Sequence, residues 1–329
     1  MVKREKRKEK REKRSIMFNY EDIAERFWNL PQKGLEEYNR ESNFIDDIIL
    51  KSHTEREILN NLSGVKTVFD GGAGAGRFSV LLAKMGISVT HFDISDSQIN
   101  MAKEYAKREG VFDKIQFIKG RLGDLSDFSD SSYDMAISFD SPISYTYPNH
   151  EDVIKNLIRI VKDKLLISVS SRLGHLPYYL SPASKMQYLL DKNSEDPLVK
   201  WYIEHSRVNY DEYEIDMRPI AEIFETGLLE NIDKVKGSYL EGNTPWPVTY
   251  LFMPEELKAI LESNGAAVMS MAGPGAFSRS IPNEVLVKIM NNERHREEFL
   301  NVCYEFDRQP SVVGLGKDNL LAVAKKNRR

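Results

Sequence analysis

Residues 67–77 read Thr-Val-Phe-Asp-Gly-Gly-Ala-Gly-Ala-Gly-Arg, and no other segment limits the fold as sharply. Thr67, Val68 and Phe69 are β-branched or aromatic, as in a buried strand. Asp70 and four glycines follow at once, and Phe78–Met85 then carries apolar residues at helical spacing. Strand, glycine turn and helix make a corner where the backbone turns tightly and approaches a ligand, with the N–H groups of a helix N-terminus close by. A dinucleotide corner needs Gly-x-Gly-x-x-Gly. From Gly72 the third position falls on Arg77, and from Gly74 on Ser79, so no frame supplies it. The loop instead spells acid-x-Gly-x-Gly-x-Gly through Asp70, Gly72, Gly74 and Gly76.

Val89–Phe92 reads as a second strand, ending in Asp93, 17 residues beyond Gly76. An acid at that point is where an α/β nucleotide fold receives ribose hydroxyls; the competing role is a cap for the next helix, shared with Ser95-Asp96-Ser97. His91 falls one place too early for a ligand and reads as a half-buried strand residue. Further strands are expected to begin near residues 115, 133 and 164, with helical patterns between them. That alternation predicts a parallel sheet wrapped by helices, with ligands at the carboxyl ends of its strands. Asp70, Asp93, Arg121, Asp140 and Arg172 all fall at such ends.

Together these segments resemble the class I S-adenosylmethionine-dependent methyltransferases. Asp70 to Gly76 is similar to the family's first motif, Asp93 to the acid that holds both ribose hydroxyls, and Tyr133–Ser138 to its Phe-Asp-Leu-Val strand. The likeness covers 64–171 and resumes over 249–329, where Tyr250–Leu257 and Leu261–Val268 resemble the late helix and sixth strand, and Leu320–Ala324 the final strand. The resemblance implies an α/β fold: a seven-stranded, mostly parallel Rossmann-like sheet with helices on both faces. It also implies S-adenosyl-L-methionine as cofactor and S-adenosyl-L-homocysteine as product. The cofactor contacts it implies are Asp70, Gly72, Gly74, Gly76, Asp93, Ile94, Arg121, Leu122 and Asp140. At the adenine the family has Gly-Asp-Ala, its Asp receiving the amine. Here one alignment puts Arg121 in place of the acid and Leu122 at the backbone contact. The other uses Gly123-Asp124-Leu125 and brings the acid late.

The rest of the chain suggests how a substrate is held. Residues 1–16 are expected to be a solvated tail: positions 3–14 hold nine basic and three acidic residues, against a total charge of −4. Its competing role is contact with nucleic acid. Residues 17–63 read as a helical lid, from the apolar spacing of Glu21–Leu30 and Phe44–Leu62, with Tyr20, Phe27 and Trp28 as candidate covers. Residues 64–171 form the expected cofactor core, 172–248 a mainly helical cap that includes Ala183–Leu190, and 249–329 the rest of the sheet. A cap excludes water and suits a small molecule; its competing role is a homodimer contact. Candidate catalytic side chains are His175, just past the fifth strand, and Tyr145. Asp140 resembles the acid of the Asp-Pro-Pro-Tyr motif of amino-methyltransferases, but Asp140-Ser141-Pro142-Ile143 lacks the second proline and the aromatic. His150 reads as a cap for the helix beginning at Glu151.

No His, Cys or carboxylate spacing suggests a metal site. No apolar run approaches the roughly 18 residues of a membrane span. The single cysteine, Cys303, excludes an internal disulfide, and no apolar signal core follows the N-terminus, so a cytoplasmic protein is expected. The expected function is methyl transfer to an oxygen, nitrogen or carbon of a small metabolite, natural product or peptide under the cap. The alternatives are an RNA or protein methyltransferase tethered by the tail, and a non-catalytic nucleoside-binding partner subunit.

Overall fold

The computed structural model describes residues 20–179, 188–205, 217–230, 240–241, 244–316 and 319–327. Three helices come first: α1 (Tyr20–Trp28), α2 (Lys33–Asn43) and α3 (Ile45–Asn61). The sequence pattern predicts two. α2 has little apolar spacing and is supported by ion pairs one turn apart, Lys33–Glu36 and Arg40–Glu37, both at 2.8 Å.

The sheet follows: β1 (Thr67–Gly71), β2 (Ser88–Asp93), β3 (Ile115–Lys119), β4 (Tyr133–Ser138), β5 (Val161–Ser170), β6 (Ala266–Ala272) and β7 (Asn319–Lys326). Its order is β6-β7-β5-β4-β1-β2-β3. The pairs among β1 to β5 are parallel, and β7 is antiparallel to both β5 and β6. This is the expected seven-stranded, mostly parallel α/β sheet. β5 begins at Val161, three residues earlier than expected, because the preceding helix runs into it without a loop.

Helices α4 (Arg77–Lys84), α5 (Asp96–Arg108), α6 (His150–Ile160) and α10 (Pro254–Ser263) cover the two faces. Alternation along the central strands feeds two cores. Ala136, Leu165, Ile167 and Val169 pack with α6 and α10 on one face, while Met135, Ile137 and Leu166 pack with α3 and α4 on the other. Burial on both faces explains why these strands read as continuous apolar runs.

In the segment expected to be a cap, the described residues form α7 (Arg172–Tyr179), α8 (Pro197–His205) and α9 (Met217–Thr226). Two short antiparallel pairs join Leu228–Leu229 to Thr249–Tyr250 and Leu240–Glu241 to Thr244–Pro245. Of the helix expected over Ala183–Leu190, residues 183–187 lie outside the described residues, as does the 1–16 tail. Leu189 is not helical; it forms a bridge to Phe44.

Two further helices, α11 (Asn283–Met290) and α12 (Glu293–Phe306), pack on α3 through Ile45, Ile49, Leu286, Phe299 and Cys303. The Cys303 thiol is fully buried, which pushes its pKa up. Asp307, just past α12, is shut from solvent. It accepts the N–H groups of Gly275 and Phe277, both at 2.8 Å, and lies 3.1 Å from His53 Nε2 on α3. Among the described residues, no helix is long and apolar enough to cross a membrane.

Candidate functional site

The glycine corner is built as its spacing requires. Gly72, Gly74 and Gly76 all adopt left-handed backbone, with φ of +69°, +54° and +85°. Two of them also serve packing: a Cβ on Gly72 would lie 2.3 Å from Pro142 Cβ, and one on Gly76 2.7 Å from Ala102 Cβ. Gly74 is open, its nearest neighbour being Gln98 Oε1 at 3.9 Å. The loop is tied to the end of β2 by Gly72 N–H, which donates to Phe92 O at 2.7 Å.

Asp93 ends β2 and organises the corner. Its Oδ2 accepts from Gly74 N and its Oδ1 from Ser95 N, each at 2.8 Å. Burial pushes its pKa up to about 6, with the Ser95 and Gly74 hydrogen bonds acting against the rise. A carboxylate has more lone pairs than these two bonds use, so it can still accept hydroxyls. Asp70 is buried at the end of β1, and its Oδ2 accepts from Ser79 Oγ at 2.6 Å. Burial drives its pKa to about 7, opposed by the Ser79 bond and reinforced by the charges of Asp93 and Asp140. Ser79 Oγ also lies 3.1 Å from His91 Nδ1. His91, expected to be half-buried, has no exposure, and burial lowers its pKa to about 3, so it is neutral.

At the end of β4, Asp140 and Ser141 both have positive φ, +63° and +66°. Left-handed backbone is costly for such residues and persists where neighbours impose it. Here Asp140 N–H donates to Ser168 Oγ at 2.9 Å and Ser141 Oγ to Asn319 Oδ1 at 2.7 Å. Asp140 Oδ2 lies 3.6 Å from Arg77 Nη1 and 3.9 Å from Arg40 Nη1, while its buried Oδ1 has no partner. Arg77 also pairs with Glu41 at 2.6 Å, and Arg40 with Asp47 and Glu37 at 2.8 Å. Sequence reasoning missed Arg40. It lies in a polar helix far from the motifs, and only the tertiary fold brings it to Asp140.

Past β3, Leu122 is buried against Gly71, while Arg121 turns away to the first helix. Its Nη2 lies 2.6 Å from both Asp22 and Glu25. Lys119 pairs with Glu25 at 3.1 Å, and Gly123 N–H donates to Glu21 at 3.3 Å. Asp124, the late acid of the second alignment, is exposed and accepts from Ser126 Oγ at 2.7 Å. Its side chain thus serves its own turn. Ile94, half-buried, follows Asp93 directly.

The two candidate catalytic residues occupy different surroundings. Tyr145 joins an aromatic group drawn from distant segments, its ring centroid 5.8 Å from Trp28 and 6.4 Å from Trp246. Phe27 lies beneath, 5.1 Å from Trp28 and 5.0 Å from Trp246. His175 sits half-buried on α7 with Nδ1 3.0 Å from the Ser171 carbonyl. A carbonyl only accepts, so Nδ1 carries the proton and Nε2 is the basic nitrogen. One other expectation changes, and one holds. His150 makes no side-chain cap; it is buried and stacks on Tyr250 at 4.0 Å. Arg172, at the end of β5, braces the following segment by donating to Leu251 O and pairing with Glu256, both at 2.9 Å. Among the described residues, no group of three or more His, Cys, Asp or Glu side chains could hold a metal ion.

Residues 68–164 match a methyltransferase domain family. The chain is 28% identical over 150 residues to a ubiquinone biosynthesis O-methyltransferase of Rickettsia conorii, covering 45% of this chain and 50% of that protein. It is 26% identical over 194 residues to the protein of the same name in Rickettsia bellii, covering 57% and 68%. The chain therefore spans between half and about two thirds of the length of these relatives. Among solved structures, its fold is similar to that of the 1,6-didemethyltoxoflavin-N1-methyltransferase of Burkholderia thailandensis, with a TM-score of 0.50 at 13% identity, covering 94% of this chain and 90% of that one.

Proposed function

We propose that this chain, whose residues 68–164 match a methyltransferase domain family, is a class I S-adenosylmethionine-dependent methyltransferase that moves a methyl group to an oxygen, nitrogen or carbon atom of a small molecule. The observation that carries this reading is the corner itself: left-handed glycines whose open member, Gly74, gives its N–H to the carboxylate of Asp93.

The residues present fit S-adenosyl-L-methionine. Asp93 has acceptor capacity for the ribose hydroxyls, and Ile94 and Leu122 are apolar neighbours for the adenine. The amino-acid end of the ligand carries both charges, and the site offers both: Arg77 and Arg40 for the carboxylate, and the unpartnered Oδ1 of Asp140, with Asp70 behind it, for the ammonium. We assign no cofactor contact to Arg121, whose guanidinium turns away from the corner to Asp22 and Glu25 on α1. When bound, this cofactor supplies a methyl group already activated on a sulfonium. The task left to the protein is alignment and exclusion of water. Trp28, Tyr145 and Trp246 are the proposed walls of the acceptor pocket. Tyr145 and His175 are the proposed catalytic side chains, the tyrosine orienting the acceptor and His175 Nε2 taking its proton. Residues 17–63 would act as lid and 172–248 as cap.

Titration calorimetry of the full chain with S-adenosylmethionine and S-adenosylhomocysteine tests the reading. Both should bind, and Asp93→Asn should weaken binding by about 2–3 kcal/mol, the scale of a lost charge-assisted hydrogen-bond pair. Folded protein that binds neither ligand overturns the proposal. The acceptor is then sought by incubating metabolite extracts with the donor and screening for products heavier by one methylene.

A further inference from the structure

Three buried polar side chains stand in a row behind the glycine corner. Asp70 on β1 and His91 on β2 are register partners, so their side chains share one face of the sheet, and Ser79 reaches them from the first turn of α4. None is more than 2% exposed. Ser79 Oγ lies 2.6 Å from Asp70 Oδ2 and 3.1 Å from His91 Nδ1, while His91 Nε2 has no hydrogen-bond partner. Packing alone does not call for an imidazole here. Val68 and Val89 hold the same face two residues earlier, and Phe117 of β3 lies beside the ring at 5.2 Å. An apolar residue at 91 would extend that surface. The chain instead keeps a ring nitrogen buried and unmet, at the cost of its lost hydration.

Ser79 has a single proton, so at any moment its hydroxyl donates to Asp70 or to His91 and not to both. With Asp70 protonated, its O–H donates to Ser79 Oγ, Ser79 donates to His91 Nδ1, and the imidazole proton sits on Nε2. With Asp70 ionised, Ser79 donates to the carboxylate and His91 Nδ1–H donates to Ser79. We infer that Asp70, Ser79 and His91 form a switch in which the arrival of a cationic ligand ionises Asp70, reverses both hydrogen bonds and moves the His91 proton from Nε2 to Nδ1. The cation is the one assigned by the cofactor reading above, and this half of the inference rests on it. Three exchangeable protons become two. Ser79 gains the proton that Asp70 gives up, Nδ1 gains the one that Ser79 gives up, and the Nε2 proton goes to the solvent. The new charge then receives two bonds pointing the same way, a charge-assisted one backed by a second donor. Imidazole supplies that second donor without burying another charge. The charged groups facing the row are Asp93 at the end of β2, Asp140 at the end of β4 and Lys103 on α5; β3 presents the uncharged Phe117. Burial and the two acids hold the proton on Asp70, and burial together with Lys103 keeps His91 neutral.

The test is nitrogen NMR of the full chain labelled at histidine, with the His91 signals identified by their absence from His91→Phe, alongside calorimetry with S-adenosylmethionine. Unliganded wild type should carry the His91 proton on Nε2 at about pH 5.5 and on Nδ1 at about pH 8.5, neutral at both, and the ligand should move it to Nδ1 at about pH 6.5. In Asp70→Asn the tautomer should follow neither pH nor ligand. His91→Phe should bind the ligand on the order of tenfold more weakly than wild type at about pH 6, the scale of one net hydrogen bond, and nearly as well at about pH 8.5, where Asp70 is ionised before binding. A merely structural role would weaken both alike. If wild type binds the ligand while His91 keeps one tautomer throughout or becomes imidazolium, or if His91→Phe loses affinity equally at both pH values, the switch falls and the cofactor site stands. If the tautomer follows pH but folded wild type binds no adenosyl ligand, the cofactor reading falls, and the ligand-driven half of the switch falls with it.

Discussion

Within the glycine corner, neighbouring residues of one type carry different loads. Gly72 has a left-handed backbone and sits against Pro142, while Gly74 has the same handedness with open space beside it. Gly72→Ala adds strain of about 1–2 kcal/mol for the backbone and about 1–3 kcal/mol for the overlap. Pro142 has little room to yield, because Ser141 before it is held by Asn319. Gly74→Ala adds only the backbone strain, yet its methyl would stand on the open side of the corner, 3.9 Å from Gln98 Oε1. Denaturant unfolding should show Gly72→Ala destabilised by about 2–5 kcal/mol and Gly74→Ala by about 1–2 kcal/mol, while calorimetry shows the greater loss of ligand affinity per unit of lost stability at Gly74. Asp70, Gly72, Gly76 and Asp93 were legible in the sequence because their meaning lies in residue type and local spacing. Arg40 and the unpartnered oxygen of Asp140 were not. Their meaning lies in which atoms the tertiary fold brings near them or leaves without a partner.

Elements tell a similar story. Strands with aromatic, β-branched and apolar runs were readable, as was the helix after the glycines. α2 was not, since ion pairs hold it rather than a clear local period. The loop after β3 was ambiguous for a related reason. Its arginine serves the first helix: Arg121 and Lys119 hold α1 through Asp22 and Glu25, and Ser95 Oγ donates to Trp28 O at 2.8 Å. These pairs are partly exposed, so they contribute no more than about 1 kcal/mol each to stability and are screened by salt. Arg121→Ala should therefore leave the unfolding midpoint nearly unchanged while raising the dissociation rate of S-adenosylhomocysteine several-fold. In the wild type, added salt should raise that rate in the same direction, and in Arg121→Ala it should do so less. Stopped-flow displacement measures both effects.

For the molecule as a whole, two buried acids at one site set a pH dependence. Asp70 and Asp93 lose their protons near pH 7 and near pH 6 in the folded chain, against 3.8 for an unburied aspartate. Between about pH 4 and pH 7 the folded state therefore holds more protons than the unfolded one, and the unliganded protein loses stability as pH rises through that window. Asp70→Asn should flatten the decline, as followed by thermal melting across pH. A cationic ligand beside these carboxylates favours their ionised forms. Binding of S-adenosylmethionine near pH 6.5 should accordingly release protons, visible as a heat that varies with the ionisation enthalpy of the buffer.

The sheet order carries one more consequence, for biosynthesis. Among the described residues β6 bonds only to β7, and β7 fills the place between β6 and β5 although it is made after the other six strands of the sheet. A ribosome that has not yet released residue 326 holds the glycine corner and the strands β1 to β5 attached to a sheet with a gap. Until that gap closes, β5 shows quality-control proteases and neighbouring nascent chains a long apolar strand edge. The central strands are thus synthesised well before the strand that closes their apolar edge.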